Sequence, residues 1–437
     1  MRNSLRTLLA VGIAAAASGC SMDELLSVED PDVATPGSLT GEDALPVLLA
    51  GAFGDFQLAF GGDNLGVTEG LINLGGLLAD EFTSAESFPT RVPIDRRDIS
   101  IVNASLNTVY SYAHRARAAA ELSARRHEEF APNTPGHATS LALAGYSYIL
   151  LAENFCSGVP VSTLTDAGGT EFGPPLSTEE LLTEAIERFD AAIAASEADS
   201  PEQYLAMVGK ARALLNLDRP ADAAVAAADV PDDFVFEIEH SSNTARQENG
   251  VFAYVNIQER WTVANNEGGR GLPYRSASDA RVEFELDPDN GVGFDGVTPM
   301  FLQLKYPDRD ADVVLASGTE ARLIEAEARL EAGNATEWLG ILNALRTAAG
   351  LGQLTDPGTP AARVDLMFRE RAFWLWLTAH RLGDLRRLVR QYGRTADSVF
   401  PTGGYSQGGT YGDDVSLPIP FEELNNPLAQ ECDASVP

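Results

Sequence analysis

Lysine is almost missing from this chain: among 31 basic residues only Lys210 and Lys305 are lysines. Basic residues are scarce altogether beside 64 acidic ones, and the formal net charge is −33. A field of that sign repels phosphate backbones and anionic headgroups, so nucleic acid is not an expected partner and the folded body is not drawn onto a lipid surface. The five histidines, at 114, 127, 137, 240 and 380, form no His-x-x-x-His pair, and the three cysteines form no Cys-x-x-Cys, which argues against a zinc enzyme. Gly61-Gly62-Asp63-Asn64 and Gly75-Gly76 lack the lysine of a phosphate loop. The acidic turns around Asp287 and Asp289, and around Asp308, Asp310 and Asp312, lack the remaining ligands of a calcium loop. No metal or cofactor is expected. Beyond the amino-terminal segment no apolar run approaches the ~20 residues that span a bilayer.

That amino-terminal segment carries the most information. Arg2 and Arg6 supply a short positive stretch, Leu8 to Ala17 an apolar one, and Ala17-Ser18-Gly19-Cys20 places small residues before a cysteine. This pattern reads as a signal peptide over 1–19, removed so that Cys20 becomes the acylated first residue of a lipoprotein. Each buried methylene contributes ~0.8 kcal/mol, so two or three acyl chains make a durable anchor. Residues 20–39, with Asp23, Glu24, Glu29, Asp30 and Asp32 among Pro31, Pro36 and Gly37, read as an acidic tether. With Cys20 acylated, Cys156 and Cys432 remain. In an exported protein they are expected to pair, tying the carboxy-terminal tail to the loop at 156, although parity leaves two free thiols open.

Residues 40–437 read as a single domain whose main rhythm is helical, with Ala- and Leu-rich segments separated by Pro and Gly. Helices are expected from Thr40 or Ser38 through Leu58, and over 99–126, 134–155, 177–196, 201–217, 220–228, 318–332, 335–349, 361–377 and 380–391. Ser177 with Glu180 has capping-box spacing, and Asp199 or Ser200 precedes Pro201 at a favoured first helical position. Short connections at 216–220 and 331–335 imply antiparallel neighbours, so the fold class is mainly α, a tetratricopeptide-like scaffold of helical hairpins over about 99–229 and 318–392. Residues 63–97, 230–317 and 394–420 break the rhythm. The middle stretch, rich in β-branched and aromatic residues, is expected to form short strands and long loops, and together with 63–97 to hold the ligand.

Several short motifs then fall in a telling order: Thr319 to Leu330, Ile341-Leu342-Asn343-Ala344-Leu345-Arg346, Glu370-Arg371, His380-Arg381-Leu382-Gly383-Asp384-Leu385-Arg386-Arg387, Pro418-Ile419-Pro420 and Asn426-Pro427-Leu428. With Ser27 to Pro31, Asp80-Glu81 and Gly158-Val159-Pro160, this arrangement resembles the SusD/RagB family of outer-membrane nutrient-binding lipoproteins. Trp374-Leu375, Thr378-Ala379 and Leu382-Gly383 depart from its pattern and make that stretch more apolar. The resemblance implies a non-enzymatic, cell-surface, lipid-anchored protein that binds a glycan or peptide and presents it to a SusC-like TonB-dependent transporter in the outer membrane. A lipid-anchored polysaccharide hydrolase and a helical-repeat envelope assembly scaffold are the rival readings.

From the residues themselves, glycan or peptide capture needs an aromatic face with guanidinium and amide groups beside it. The irregular stretches offer Phe88, Arg91, Arg97, Tyr254, Trp261, Asn265, Asn266, Arg270 and Tyr274, with Trp261 the leading contact. Arg381 with Asp384, and Asp384 with Arg387, have the helical spacing of ion pairs.

Overall fold

The computed structural model describes residues 39, 41–164 and 170–437. The signal peptide, Cys20 and the acidic tether lie outside the described residues. Residues 42–437 form one compact unit.

The scaffold consists of α1 (Leu45–Gly61), α2 (Leu71–Leu78), α3 (Ala104–Phe130), α4 (Pro135–Asn154), α5 (Thr178–Ala195), α6 (Pro201–Asn216), α7 (Pro220–Ala227), α8 (Gly318–Glu331), α9 (Ala335–Ala348), α10 (Pro360–Trp374) and α11 (Arg381–Arg390). Side-chain caps set many of the starts. Asn103, Thr134, Ser200, Ser317 and Thr359 each accept from an amide three residues on, and Ser177 with Glu180 completes the capping box. From α3 to α9 each helix packs on the next. Phe189 of α5 shows how closely: a methyl group added at Gly145 of α4 would lie 2.8 Å from its ring, and one at Gly209 of α6 2.3 Å. By length and composition Glu42–Gly61 is apolar enough to cross a membrane, but 56% of that window is buried in the protein, where α1 packs on α3 and α4.

The array runs straight through the irregular region. Helix α7 packs on α8 although residues 228–317 lie between them in sequence, so this stretch is an insertion between two neighbouring helices. Antiparallel strands β2 (Val235–Ile238) and β6 (Val313–Ser317) pair at its entrance and exit. Gly318 permits this closure, since a Cβ there would fall 2.1 Å from the Pro231 carbonyl oxygen. Within the irregular face β1 (Phe82–Ser84) pairs with β3 (Trp261–Val263), and β4 (Phe284–Leu286) with β5 (Phe301–Gln303), both antiparallel. The tail returns to the scaffold at Leu417, whose N–H donates to Asn154 O and whose carbonyl accepts from Cys156 N. Cys156 and Cys432 stand as a disulfide, their Cα atoms 6.0 Å apart.

Three sequence expectations need correction. Leu71–Leu78 is helical inside a stretch read as irregular; Gly75 and Gly76 weaken it locally but allow it to approach Asn154 and Phe82, where an added Cβ would lie 2.9 and 3.0 Å away. The helix expected to reach 377 stops at Trp374, and Leu377 and Ala379 adopt φ of 55° and 59°. Arg381 pairs not with Asp384 but with Asp80, through bonds of 2.6 and 2.8 Å.

The turn over 375–380 survives this backbone strain because buried groups hold it. Glu81 accepts from Leu377 N at 2.9 Å, Tyr306 donates to Leu377 O at 2.8 Å, Arg212 donates to Ala379 O at 3.0 Å, and Lys305 donates to Trp376 O. Around it lies a network of buried charge. Asp384 accepts from Arg371 at 2.8 Å and from Arg387 at 3.2 Å, while Arg387 also grips Glu327 at 2.7 and 2.9 Å. Tyr392 donates to Glu327 at 2.6 Å, and His380 faces Glu320 at 2.9 Å. Removing one member of a buried pair strands the other, at a cost of about 3–5 kcal/mol. Arg381→Met is therefore expected to lower the free energy of unfolding by that amount in urea titration; a loss below ~1 kcal/mol would show that Asp80 finds another partner.

The same interior sets a pH dependence. Burial pushes the Glu81 carboxyl up to about 7, opposed by its bond from Leu377, and burial likewise raises Asp95 to about 6. Such groups hold their proton more tightly folded than unfolded. The stability they add is complete below their unfolded values near 4 and is lost as pH climbs through about 6–7. Asp384 and Glu320, held below the usual carboxylate range against the effect of burial by Arg371 and by His380 respectively, act on the opposite limb and lose their contribution as pH falls below about 4. Melting temperature should thus decline between pH 5 and pH 8. Glu81→Gln, which keeps an acceptor for Leu377, should flatten that decline, and parallel melting curves for variant and parent would contradict it.

Candidate functional site

Three backbone segments meet where β1 and β3 end. Ala85 N donates to Arg260 O at 2.9 Å, Phe294 N to Glu259 O at 2.9 Å and Asp295 N to Ala85 O at 2.9 Å. Gly293 is required for this close approach, since a Cβ there would meet that of Ala85 at 2.4 Å. Asp295 then folds the turn by accepting from Val297 N and Thr298 N, both at 2.9 Å. The outcome is an exposed aromatic platform. Phe88 is 38% and Phe294 52% exposed, with their rings 6.0 Å apart, and Arg260 lies over Phe294 at 3.7 Å and near Phe88 at 4.7 Å.

Beneath the platform sits Arg91. Its guanidinium lies 5.1 Å from Phe88, 5.0 Å from Tyr254 and 5.8 Å from Trp261, and it donates to Glu69 at 2.7 Å and Glu86 at 3.2 Å. Burial raises the Glu86 carboxyl to about 7, opposed by Arg91. Glu86 Oε2 is also 3.6 Å from Arg260, beyond hydrogen-bond length. The platform is thus held from below by a charge cluster in which Arg260 takes part only through its ion pair with Glu86, without a hydrogen bond.

Of the residues picked from sequence, Phe88 alone among Phe88, Arg97, Trp261 and Tyr274 is exposed. Trp261 is fully buried, stacked on Tyr254 at 4.8 Å, so it supports the platform from within and does not offer a face to solvent. Tyr274 is equally buried, 5.5 Å from Phe373. Arg97 is buried too, donating to the carbonyls of Pro401 at 2.6 Å and Asp414 at 2.8 Å, which makes it a clamp on the tail. Asn266 and Arg270 are exposed and Asn265 half-buried on the loop after β3, where Asn265 accepts from Ser276. Sequence reasoning missed Phe294 and Arg260. The available signal was Gly293-Phe294-Asp295-Gly296, a phenylalanine held between turn-forming residues and so kept out of a core.

Two cavities lie elsewhere. One of about 380 Å³ sits among α3, α4 and α5, where Arg117 pairs with Glu121 at 2.6 Å and Tyr148 donates to Glu121 at 2.7 Å. Another of about 200 Å³ is lined by Lys305, Glu320, Trp374 and His380. Arg117, Glu121 and Tyr148 in the first, and Lys305, Glu320 and His380 in the second, are engaged in the scaffold contacts described above. Asp95 and Glu267, each buried, accept from Tyr405 at 2.6 Å and Tyr411 at 3.0 Å; burial keeps Glu267 protonated well above the usual range. This acid pair is closed inside the fold. Among the described residues no cluster of three metal-ligating side chains occurs.

Solved structures share this fold. A SusD superfamily protein from Bacteroides thetaiotaomicron aligns over 90% of this chain and 99% of its own, with a TM-score of 0.68 and 15% identity. A SusD-like carbohydrate binding protein from Bacteroides vulgatus aligns over 81% and 83%, with a TM-score of 0.60 and 15% identity. Surface glycan-binding protein A from Bacteroides thetaiotaomicron aligns over 89% and 97%, with a TM-score of 0.64 and 13% identity. No curated protein sequence matches the chain. Residues 319–426, which hold α8 to α11 and their buried charge network, match the SusD family. The chain is thus similar to the SusD family in sequence over that carboxy-terminal quarter and to SusD superfamily structures in fold over most of its length.

Proposed function

We propose that this protein is a surface lipoprotein that binds a glycan on its irregular face and delivers it to a SusC-like TonB-dependent transporter of the outer membrane. The observation that carries the reading is the Phe88, Phe294 and Arg260 platform, two exposed rings beside a guanidinium with no hydrogen-bond partner among the described residues. Apolar ring faces of sugars stack on such surfaces, and the guanidinium edge is suited to hydroxyl or carboxylate oxygens. The names of the relatives, a carbohydrate binding protein and a surface glycan-binding protein, support the ligand class. The helical array supplies a separate surface for a transporter, and Cys20 with its tether supplies the anchor. No bond-making step belongs to this reading; peptide remains the other ligand class consistent with the platform.

Binding of the soluble chain from residue 21 onward to a glycan array, followed by calorimetry on the best ligand, tests it. Phe294→Ala should weaken that ligand roughly five- to tenfold, the equivalent of about 1 kcal/mol of ring contact, with an unchanged melting temperature because the ring is exposed. Equal affinity of the variant and parent would remove the platform from the site. In cells, Cys20→Ala should abolish palmitate labelling and release the protein from the membrane fraction; continued labelling would reject the anchor.

A further inference from the structure

A second guanidinium repeats the arrangement of the first. Arg275 lies 3.7 Å from the ring of Phe301, the same separation as Arg260 from Phe294, and both phenylalanines belong to one hairpin, Phe301 on β5 and Phe294 in the turn between β4 and β5. Phe301 N donates to Thr262 Oγ1 at 2.7 Å, and Arg260 directly precedes β3, so the two stacks border the same small area of sheet. Neither guanidinium donates a hydrogen bond to a described residue, and Arg275 has no carboxylate within salt-bridge range among them. Arg260 is answered only by Glu86 at 3.6 Å and Arg275 by none, whereas Arg91, Arg281, Arg346, Arg381 and Arg387 all meet carboxylates at hydrogen-bond distance.

We infer that this face selects acidic glycans, with Arg260 and Arg275 receiving carboxylate groups of uronate residues while Phe88 and Phe294 take the sugar rings. The inference rests on the glycan-binding reading above and narrows its ligand class. Stacking on phenylalanine fixes each guanidinium plane; Nε and Nη1 of Arg260 and Nε of Arg275 are buried, which leaves Nη2 of Arg260 and both Nη atoms of Arg275 for a ligand. A carboxylate offers these N–H groups two acceptor oxygens and a full opposite charge, where a neutral hydroxyl offers one oxygen and none. The negative charge elsewhere on the protein acts weakly here, because exposed charges farther than about 8 Å are screened at physiological ionic strength. Close by, Glu69 and Glu86 are met by Arg91 and Arg260, so the unanswered positive charge on this face is that of Arg275.

The test uses the folded soluble chain with a panel of uronate-containing polysaccharides, each beside its carboxyl-reduced form, and with neutral glucans and xylans. At least one acidic member should bind tenfold or more tightly than its reduced form, and its affinity should fall when sodium chloride is raised from 50 to 500 mM. Arg260→Gln and Arg275→Gln, checked for unchanged melting temperature, should each shrink the preference severalfold. A reduced form that binds as well as its parent acid, or a preference for neutral glycans, overturns the inference and leaves glycan binding standing. Binding to no glycan of either kind removes the underlying reading as well.

Discussion

Charge taken out of water has to be met by opposite charge, and the junction of α8, α10 and α11 is built around that requirement. Arg371, Arg387, Asp384 and Glu327 hold one another at the centre, and Arg381 reaches out of the cluster to Asp80, which also accepts from Leu272 N at 2.8 Å. One bidentate pair thus joins the end of the helical array, the root of β1 and the loop leading toward the β4–β5 hairpin. Because any lone member would be a stranded charge, the alternatives to this docking are costly. The strained turn at 375–380 is the local consequence: the chain adopts left-handed φ at Leu377 and Ala379 to bring Arg381 onto Asp80, and neighbouring side chains secure the displaced carbonyls.

The helical array was readable in the residues because its signals are local. Ser177 with Glu180, Thr134 before Pro135 and Ser200 before Pro201 each announce a helix start through atoms only a few residues apart, and the observed starts fall there. The failures come where distant contacts override local preference. Gly75 and Gly76 argue against a helix unless one knows that Asn154 and Phe82 need the space. Arg381 and Asp384 have ideal helical spacing, yet Arg381 is drawn to a partner 301 positions away. Residues 228–317 could be recognised as irregular, but not as an insertion, since the packing of α7 on α8 leaves no mark in either segment alone.

For the candidate platform, sequence pointed to the stretches that carry it and mostly to side chains that the fold buries. A tryptophan between polar residues reads equally well as a binding surface or as core, and Trp261 turned inward because Tyr254 and the Arg91 cluster gave it a place to stack. Arg97 and Tyr274 went the same way, each meeting its partners in segments far along the chain. Phe88 stayed outside because it follows β1 into a turn, and it became meaningful only when the 293–298 turn delivered Phe294 beside it. Exposed aromatics on loops are defined by where two loops meet, which single-segment patterns do not encode.

The neck formed by β2 and β6 separates two kinds of evolutionary freedom. Everything distal to it hangs from two adjacent helices that already pack on each other, and it reaches back onto the array through anchors such as Arg281 on Glu370 and Tyr306 on Leu377 O. Substitutions between Ile238 and Val313 that spare those anchors can therefore accumulate while the chassis, with its interior electrostatic lock, is inherited unaltered.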